Sequence, residues 1–240
     1  MSYNTNTIFD KSTPVVTNII IINVLMLIAN KAFGLSNFAL FYPVSQHFQP
    51  YQFVTHMFMH GGIWHLAFNM YALWMFGKVL EKVWGSKRFF IFYFVTGLGA
   101  AAIYTLVNYF QLASIQSHID PAMLENMKLA LADGLRYTMT DVYMDNWYNI
   151  VGTPVVGASG AVFGVLLGFG MLFPNTVLQL LFPPIKLKAK YFVLIYGALE
   201  LYLSIQNPVG GGIAHTAHLG GMIFGFILIK MWNKRRNIFY

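Results

Sequence analysis

Six apolar stretches divide this chain, at Val15–Ala32, Gly61–Leu80, Phe89–Phe110, Val155–Phe173, Tyr191–Gln206 and Gly212–Trp232. Each approaches the ~20 residues that a helix needs to cross the hydrocarbon core of a bilayer. Composition agrees. Hydrophobic residues make up 57% of the chain and charged residues 10%, against about 25% charged in an ordinary soluble domain. The bilayer is therefore the expected solvent, and the expected fold is an all-α membrane protein, a bundle of six transmembrane helices. The first stretch does not read as a signal peptide: it is too long, Asp10 and Lys11 flank it, and no small-residue cleavage site follows.

In a soluble protein the net charge of +7 would raise nucleic acid as a partner. Here the basic residues sit at the ends of apolar runs, so their meaning is topological and no nucleic acid is expected. Lys78, Lys82, Lys87 and Arg88 bracket the second connection; Lys186, Lys188 and Lys190 fill the fourth; Lys230, Lys234, Arg235 and Arg236 follow the sixth run. The alternate connections are poorer: Lys31 stands at the end of the first run, and in the third connection Lys128 and Arg136 are set against Asp120, Glu125, Asp133, Asp141 and Asp145. The positive-inside rule then places both termini in the cytoplasm. The chain divides into a short cytoplasmic segment (1–14), a six-helix domain (15–232) and a basic cytoplasmic tail (233–240). With no cysteine, disulfides, thiolate metal sites and a cysteine nucleophile are excluded.

The connection between the third and fourth runs is acidic and long, and residues 113–150 form an insertion on the outer surface. Asp120-Pro121 has the form of an N-cap and first helical residue, and Gly134 that of a stop. Met123, Leu124, Met127 and Leu131 share a helical face, which predicts an amphipathic helix on the outer surface. Tyr137, Tyr143, Trp147 and Tyr148 suit the headgroup interface.

Polar side chains inside apolar spans carry a functional expectation, because lipid penalises them by several kcal/mol. The notable ones are His56, His60, His65, Asn69, Ser159, Glu200, His215 and His218. Counted from the outer ends of their spans at 1.5 Å per residue, His65 and Ser159 lie ~6 Å deep and His218 ~9 Å deep. Three helices entering from one face thus bring polar groups to matching depth. Gly160, Gly164 and Gly168 recur every fourth residue, as do Gly221 and Gly225, and such faces let helices approach closely in lipid. His218 shares an arc of roughly 60° with Gly221 and Gly225, whereas His215 falls outside it. If the two glycine faces meet, His218 approaches the end of the helix that carries Ser159, and His215 is the second choice.

A serine hydroxyl becomes a useful nucleophile when a neighbouring base takes its proton, and neutral histidine is the usual base. No aspartate lies in the spans to orient the imidazole, so Ser159 and His218 read as a dyad. His65 and Asn69, at i and i+4, face one side of their helix. Both can donate to a developing oxyanion, with the Ser159 backbone N–H as a third donor. The GASGA segment alone is a weak signal, since a nucleophile elbow also needs a preceding strand.

Three segments carry a family resemblance: HMFMHGGIWHLAFNM (His56 to Met70), VVGASGAVFG (Val155 to Gly164) and AHTAHLGGMIFG (Ala214 to Gly225). With LEKVWGSKRFF after the second run, the chain resembles the rhomboid intramembrane serine proteases from its second helix to its sixth. The resemblance implies Ser159 as nucleophile, His218 as general base, and His65 and Asn69 in the oxyanion hole. Gly157, Gly160, Gly221, Gly225 and Phe163 are supporting positions, and His56 and His60 have structural or hydration roles. It further implies no metal or cofactor and, as substrates, membrane-spanning proteins cut near the outer face. A monomer in a cell membrane is expected, the inner membrane if the source is bacterial. Two features depart from the family pattern. Tyr51-Gln52 stands where the first outer loop commonly has Trp-Arg, and the acidic connection is longer than in minimal bacterial members. Glu200 receives no role.

Two other classes share these features. A non-proteolytic rhomboid-like binding or quality-control protein would keep the bundle, but such relatives usually lack the serine or the histidine. A histidine-lined metal transporter or metallohydrolase would need acidic ligands that the spans nearly lack, and no HExxH is present.

Overall fold

A computed structural model describes residues 12–135, 141–179, 184–206 and 215–234. The chain is mostly helical. Helix α1 (Pro14–Phe33) begins with proline at its first turn and ends at Gly34, whose φ of 66° allows its N–H to return to the Asn30 carbonyl. A loop containing the short helix α2 (Gln52–Thr55) leads to α3 (Ile63–Ala72), which continues through a π-turn at Leu73–Gly77 into α4 (Lys78–Trp84). Then come α5 (Ser86–Gln116), α6 (Pro121–Ala132), α7 (Val142–Val151) and α8 (Ser159–Leu172). Strands β1 (Val177–Gln179) and β2 (Lys186–Lys188) pair antiparallel, Val177 opposite Lys188, before α9 (Ala189–Gln206) and α10 (His215–Lys234).

The described residues of each apolar run are largely helical, the sixth from His215 onward, with 212–214 outside the described residues. Among the described residues, α1 and α5 are long and apolar enough to cross a membrane, and α8 is apolar but only 14 residues long. The fourth run differs from expectation at its start. Residues 155–158 are not helical: Val155 exchanges two backbone hydrogen bonds with Leu40 (2.9 and 2.8 Å), and the helix opens at Ser159. The expected segment 1–14 is described only from Ser12 and the tail only to Lys234. Residues 1–11 and 235–240 lie outside the described residues.

The centre of the bundle is the contact of α5, α8 and α10. Small residues make it possible. A Cβ added at Gly221 of α10 would lie 1.9 Å from the Gly160 carbonyl oxygen of α8, and one at Gly225 would lie 3.4 Å from Gly164. The other side of the α8 stripe meets α5: Gly160 abuts Ala100, and Gly164 abuts Thr96. Below this contact, Leu73, Leu80, Phe89, Phe92, Tyr93 and Val165 form a fully buried core. The outer surface remains apolar, with Leu25, Ile28, Trp64, Phe68, Leu194, Tyr202 and Ile205 all more than half exposed. So extensive an apolar exterior suits contact with lipid rather than water.

Helices α6 and α7 form a second, smaller core over the end of α5. As expected, Asp120 caps α6, its carboxylate accepting from Ala122 and Met123, with Pro121 at the first turn and Gly134 just past the end. Asp141 caps α7 in the same way. The aromatic assignment needs correcting. Trp147 and Tyr148 are buried against Met127, Ile115 and Tyr42, so they hold this cap together and do not anchor it in headgroups. Tyr143 stacks on His118 at 4.3 Å, and Tyr137 lies outside the described residues. Met123 is exposed, unlike Met127 on the same predicted face.

Two buried polar groups fix the ends of the bundle. The carboxylate of Glu81, 1% exposed, accepts the N–H groups of Val15 and Val16 (2.9 and 2.8 Å) and the Ser86 hydroxyl (2.7 Å). It therefore satisfies orphan amides at the start of α1 and favours the positive end of that helix. In the first loop the fully buried Gln52 amide donates to the carbonyls of Asn37 and His47 and accepts from Phe41 N–H. Gln52 thus organises the loop in which the family pattern commonly has Arg.

Glu81→Ala is expected to remove about 2–4 kcal/mol of stability, because it leaves buried donors without an acceptor; thermal unfolding in detergent measures it. Gly221→Val should lower the midpoint further by driving α10 away from α8. A Gly221→Val protein as stable as wild type would contradict this packing.

Candidate active site

Ser159 is the first residue of α8, so its backbone N–H belongs to the first turn, where amides have no intrahelical partner. Its side chain is half-buried and points to α10. Ser159 Oγ lies 2.8 Å from His218 Nε2. The structure thus brings together the two residues that the sequence paired, by way of the glycine contact that the sequence suggested. One face of the His218 ring stacks on Phe163 of α8, with centroids 4.2 Å apart and planes 9° from parallel.

The other ring nitrogen has a partner that sequence reasoning left unassigned. His218 Nδ1 lies 2.9 Å from Glu200 Oε2, and His215 Nδ1 lies 2.6 Å from the same oxygen. A carboxylate can only accept, so both nitrogens donate. For neutral His218 this leaves Nε2 as the acceptor, facing the Ser159 hydroxyl. All three residues are more than nine-tenths buried. The Ser159 hydroxyl pairs with His218 and not with His215, whose Nδ1 is engaged by the Glu200 carboxylate. A sequence signal for Glu200 did exist. Counted from the α9 end at Gln206, Glu200 is ~9 Å in at 1.5 Å per residue, the depth expected of His218.

His65 and Asn69 of α3 line the same cavity of about 1290 Å³ as Ser159 and His218. Gly61 N–H approaches His65 Nδ1 at 3.4 Å, which leaves Nε2 of the neutral ring as the N–H that faces the cavity. Asn69 Nδ2 donates one hydrogen to the His65 carbonyl of its own helix (2.8 Å), leaving a second hydrogen on the amide. Gly157 explains the space between them. Its φ of 128° suits glycine alone, and its N–H donates to the His56 carbonyl (2.9 Å). An atom at the position of a Gly157 Cβ would lie 2.9 Å from His65 Nε2 and 3.5 Å from Ser159 Oγ. Glycine keeps open a point within reach of both a nucleophile and a donor, the geometry required for an atom under attack.

His56 and His60 stand behind this wall. His56 Nδ1 donates to the Gln52 carbonyl (2.9 Å), and His60 packs edge-on against His65 at 5.0 Å. Burial pushes both imidazoles down to about 4, His65 adding to the effect at His60. They are uncharged supports for the loop between α2 and α3.

Comparison with known proteins identifies the family of this chain. The Rhomboid domain family model matches residues 47–235. Rhomboid protease AarA of Providencia stuartii is 24% identical over 173 residues, 72% of this chain and 52% of that protein. The mitochondrial Rhomboid protein 1 of Saccharomyces cerevisiae is 30% identical over 190 residues, 75% of this chain and 42% of that protein. Rhomboid protease GlpG of Serratia proteamaculans is 24% identical over 191 residues, covering 80% and 51%. The matched regions span only about half of these relatives or less. A family model that covers most of the chain, over a bundle built on the matched segments, makes the protein a member of the membrane-resident rhomboid family.

Proposed function

We propose that this chain is an intramembrane serine endopeptidase with Ser159 as nucleophile and His218 as general base. The observation that carries the reading is the 2.8 Å contact between Ser159 Oγ and His218 Nε2 beside an open point 2.9 Å from His65 Nε2. Six helical spans lie in the bilayer: α1, the continuous α3–α4, α5, α8, α9 and α10. Both termini are cytoplasmic, which puts the α8 N-terminus and the cavity towards the outer face. Relatives named as rhomboid proteases support the reaction class. The working form is a monomer in a cell membrane.

The chemistry follows from the positions. A membrane-spanning substrate unwinds near the outer end of its helix beside α3 and α9 and presents an extended backbone. As Ser159 Oγ bonds to the scissile carbonyl carbon, its proton passes to His218 Nε2. The carbonyl oxygen becomes an oxyanion, held by His65 Nε2–H, the free Asn69 amide hydrogen and the Ser159 N–H. His218 returns the proton to the departing amine as the C–N bond breaks. Water then enters from the outer face and loses a proton to His218 as it attacks the acyl-enzyme. Collapse of the second tetrahedral species releases the carboxylic acid and restores Ser159.

Ser159→Ala and His218→Ala should abolish cleavage of single-pass model substrates by the purified protein. Undiminished cleavage by Ser159→Ala would remove the assignment. His65→Ala or Asn69→Ala, each deleting one oxyanion donor, should reduce kcat by about 10²–10³-fold. An unchanged kcat in both variants would place the oxyanion elsewhere.

A further inference from the structure

We propose that Glu200 completes a serine–histidine–glutamate relay, acting through His218 as its positioning residue. The proposal rests on the serine endopeptidase reading of the same site. Its observations are the line of contacts from Ser159 Oγ to His218 Nε2 (2.8 Å) and from His218 Nδ1 to Glu200 Oε2 (2.9 Å), and the burial of both partners. Three elements are needed: α8 supplies the nucleophile, α10 the base and α9 the acid.

A lone glutamate in an apolar span is penalised by several kcal/mol unless it is paired or hydrogen-bonded. Here two imidazole N–H groups from successive turns of α10 converge on one oxygen. That arrangement does two things for catalysis. It holds His218 in the tautomer with Nε2 unprotonated, and it fixes the ring edge while Phe163 fixes its face. When the Ser159 proton arrives on Nε2, the imidazolium stands 2.9 Å from a carboxylate in a poorly screened interior. Glu200 takes no proton itself; it stabilises the charge and orients its bearer, as the acid of a serine triad does. His215 occupies a second lone pair of the same oxygen and so holds the carboxylate in place.

These three groups also lie within 4.8 Å of one another, as metal ligands would. The separations argue for hydrogen bonds. Two nitrogen or oxygen ligands of a tetrahedral zinc ion, at ~2.0–2.1 Å each, sit about 3.3 Å apart, whereas these contacts are 2.6 and 2.9 Å.

The test uses the full chain in detergent with a fluorophosphonate probe, resolving the maximal inactivation rate from the probe's binding constant. Ser159→Ala, Glu200→Ala, Glu200→Gln, Glu200→Asp and wild type are compared, each with its thermal midpoint. Glu200→Ala and Glu200→Gln should lose at least about 10²-fold in inactivation rate, with probe binding within about threefold of wild type. Glu200→Asp, which keeps the charge, should recover part of the loss. A wild-type rate in Glu200→Gln would overturn the proposal. So would a loss in Glu200→Ala and Glu200→Gln that follows the fall in thermal midpoint and is not relieved in Glu200→Asp. If Ser159→Ala reacts as fast as wild type, the endopeptidase reading fails first; if only the Glu200 variants behave as wild type, that reading stands without the relay.

Discussion

Gly221 lies so close to α8 that any side chain there would collide with the Gly160 carbonyl, and this backbone contact sets the separation of the two helices that carry Ser159 and His218. In lipid there is no hydrophobic gain from pressing one apolar helix against another, so close packing has to supply the attraction, and only small residues permit it. Gly160 and Gly221 each lie within one turn of a reactive side chain. The same contact that binds α8 to α10 therefore holds Ser159 against His218. A bundle assembled on bulkier residues would separate the helices by ångströms, and proton transfer between the two side chains requires hydrogen-bond distance.

The second constraint is electrostatic. Three buried polar side chains in this interior have designated partners: Glu200 accepts from two histidines, Glu81 accepts from the start of α1, and Gln52 ties together the first loop. The three differ in consequence. Glu81 and Gln52 are closed arrangements that stabilise structure. Glu200 shares its charge with a ring whose other nitrogen faces a cavity, so its effect is passed on to Ser159.

Much of this was legible in the sequence. The apolar runs located the helices, the glycine spacing anticipated the α8–α10 face, and similar depth along their spans singled out Ser159, His65 and His218. What escaped it depends on tertiary placement. The apolarity of Val155 and Val156 reads as helix, yet pairing with Leu40 keeps that segment extended and lets the helix begin at the serine itself. Trp147 and Tyr148 have the composition of an interface belt, but a fold of α6 over α7 buries them. Glu200 was visible as an acid in a span; which neighbour it faces is set by the rotation of α9 about its axis, which hydropathy does not encode.

The most direct measurement is the mapping, by mass spectrometry, of the residue that a fluorophosphonate modifies in the intact protein in detergent. The account predicts one adduct, on the peptide containing Ser159, lost in His218→Ala. An adduct on another residue, or none from a folded and monodisperse protein, would contradict it.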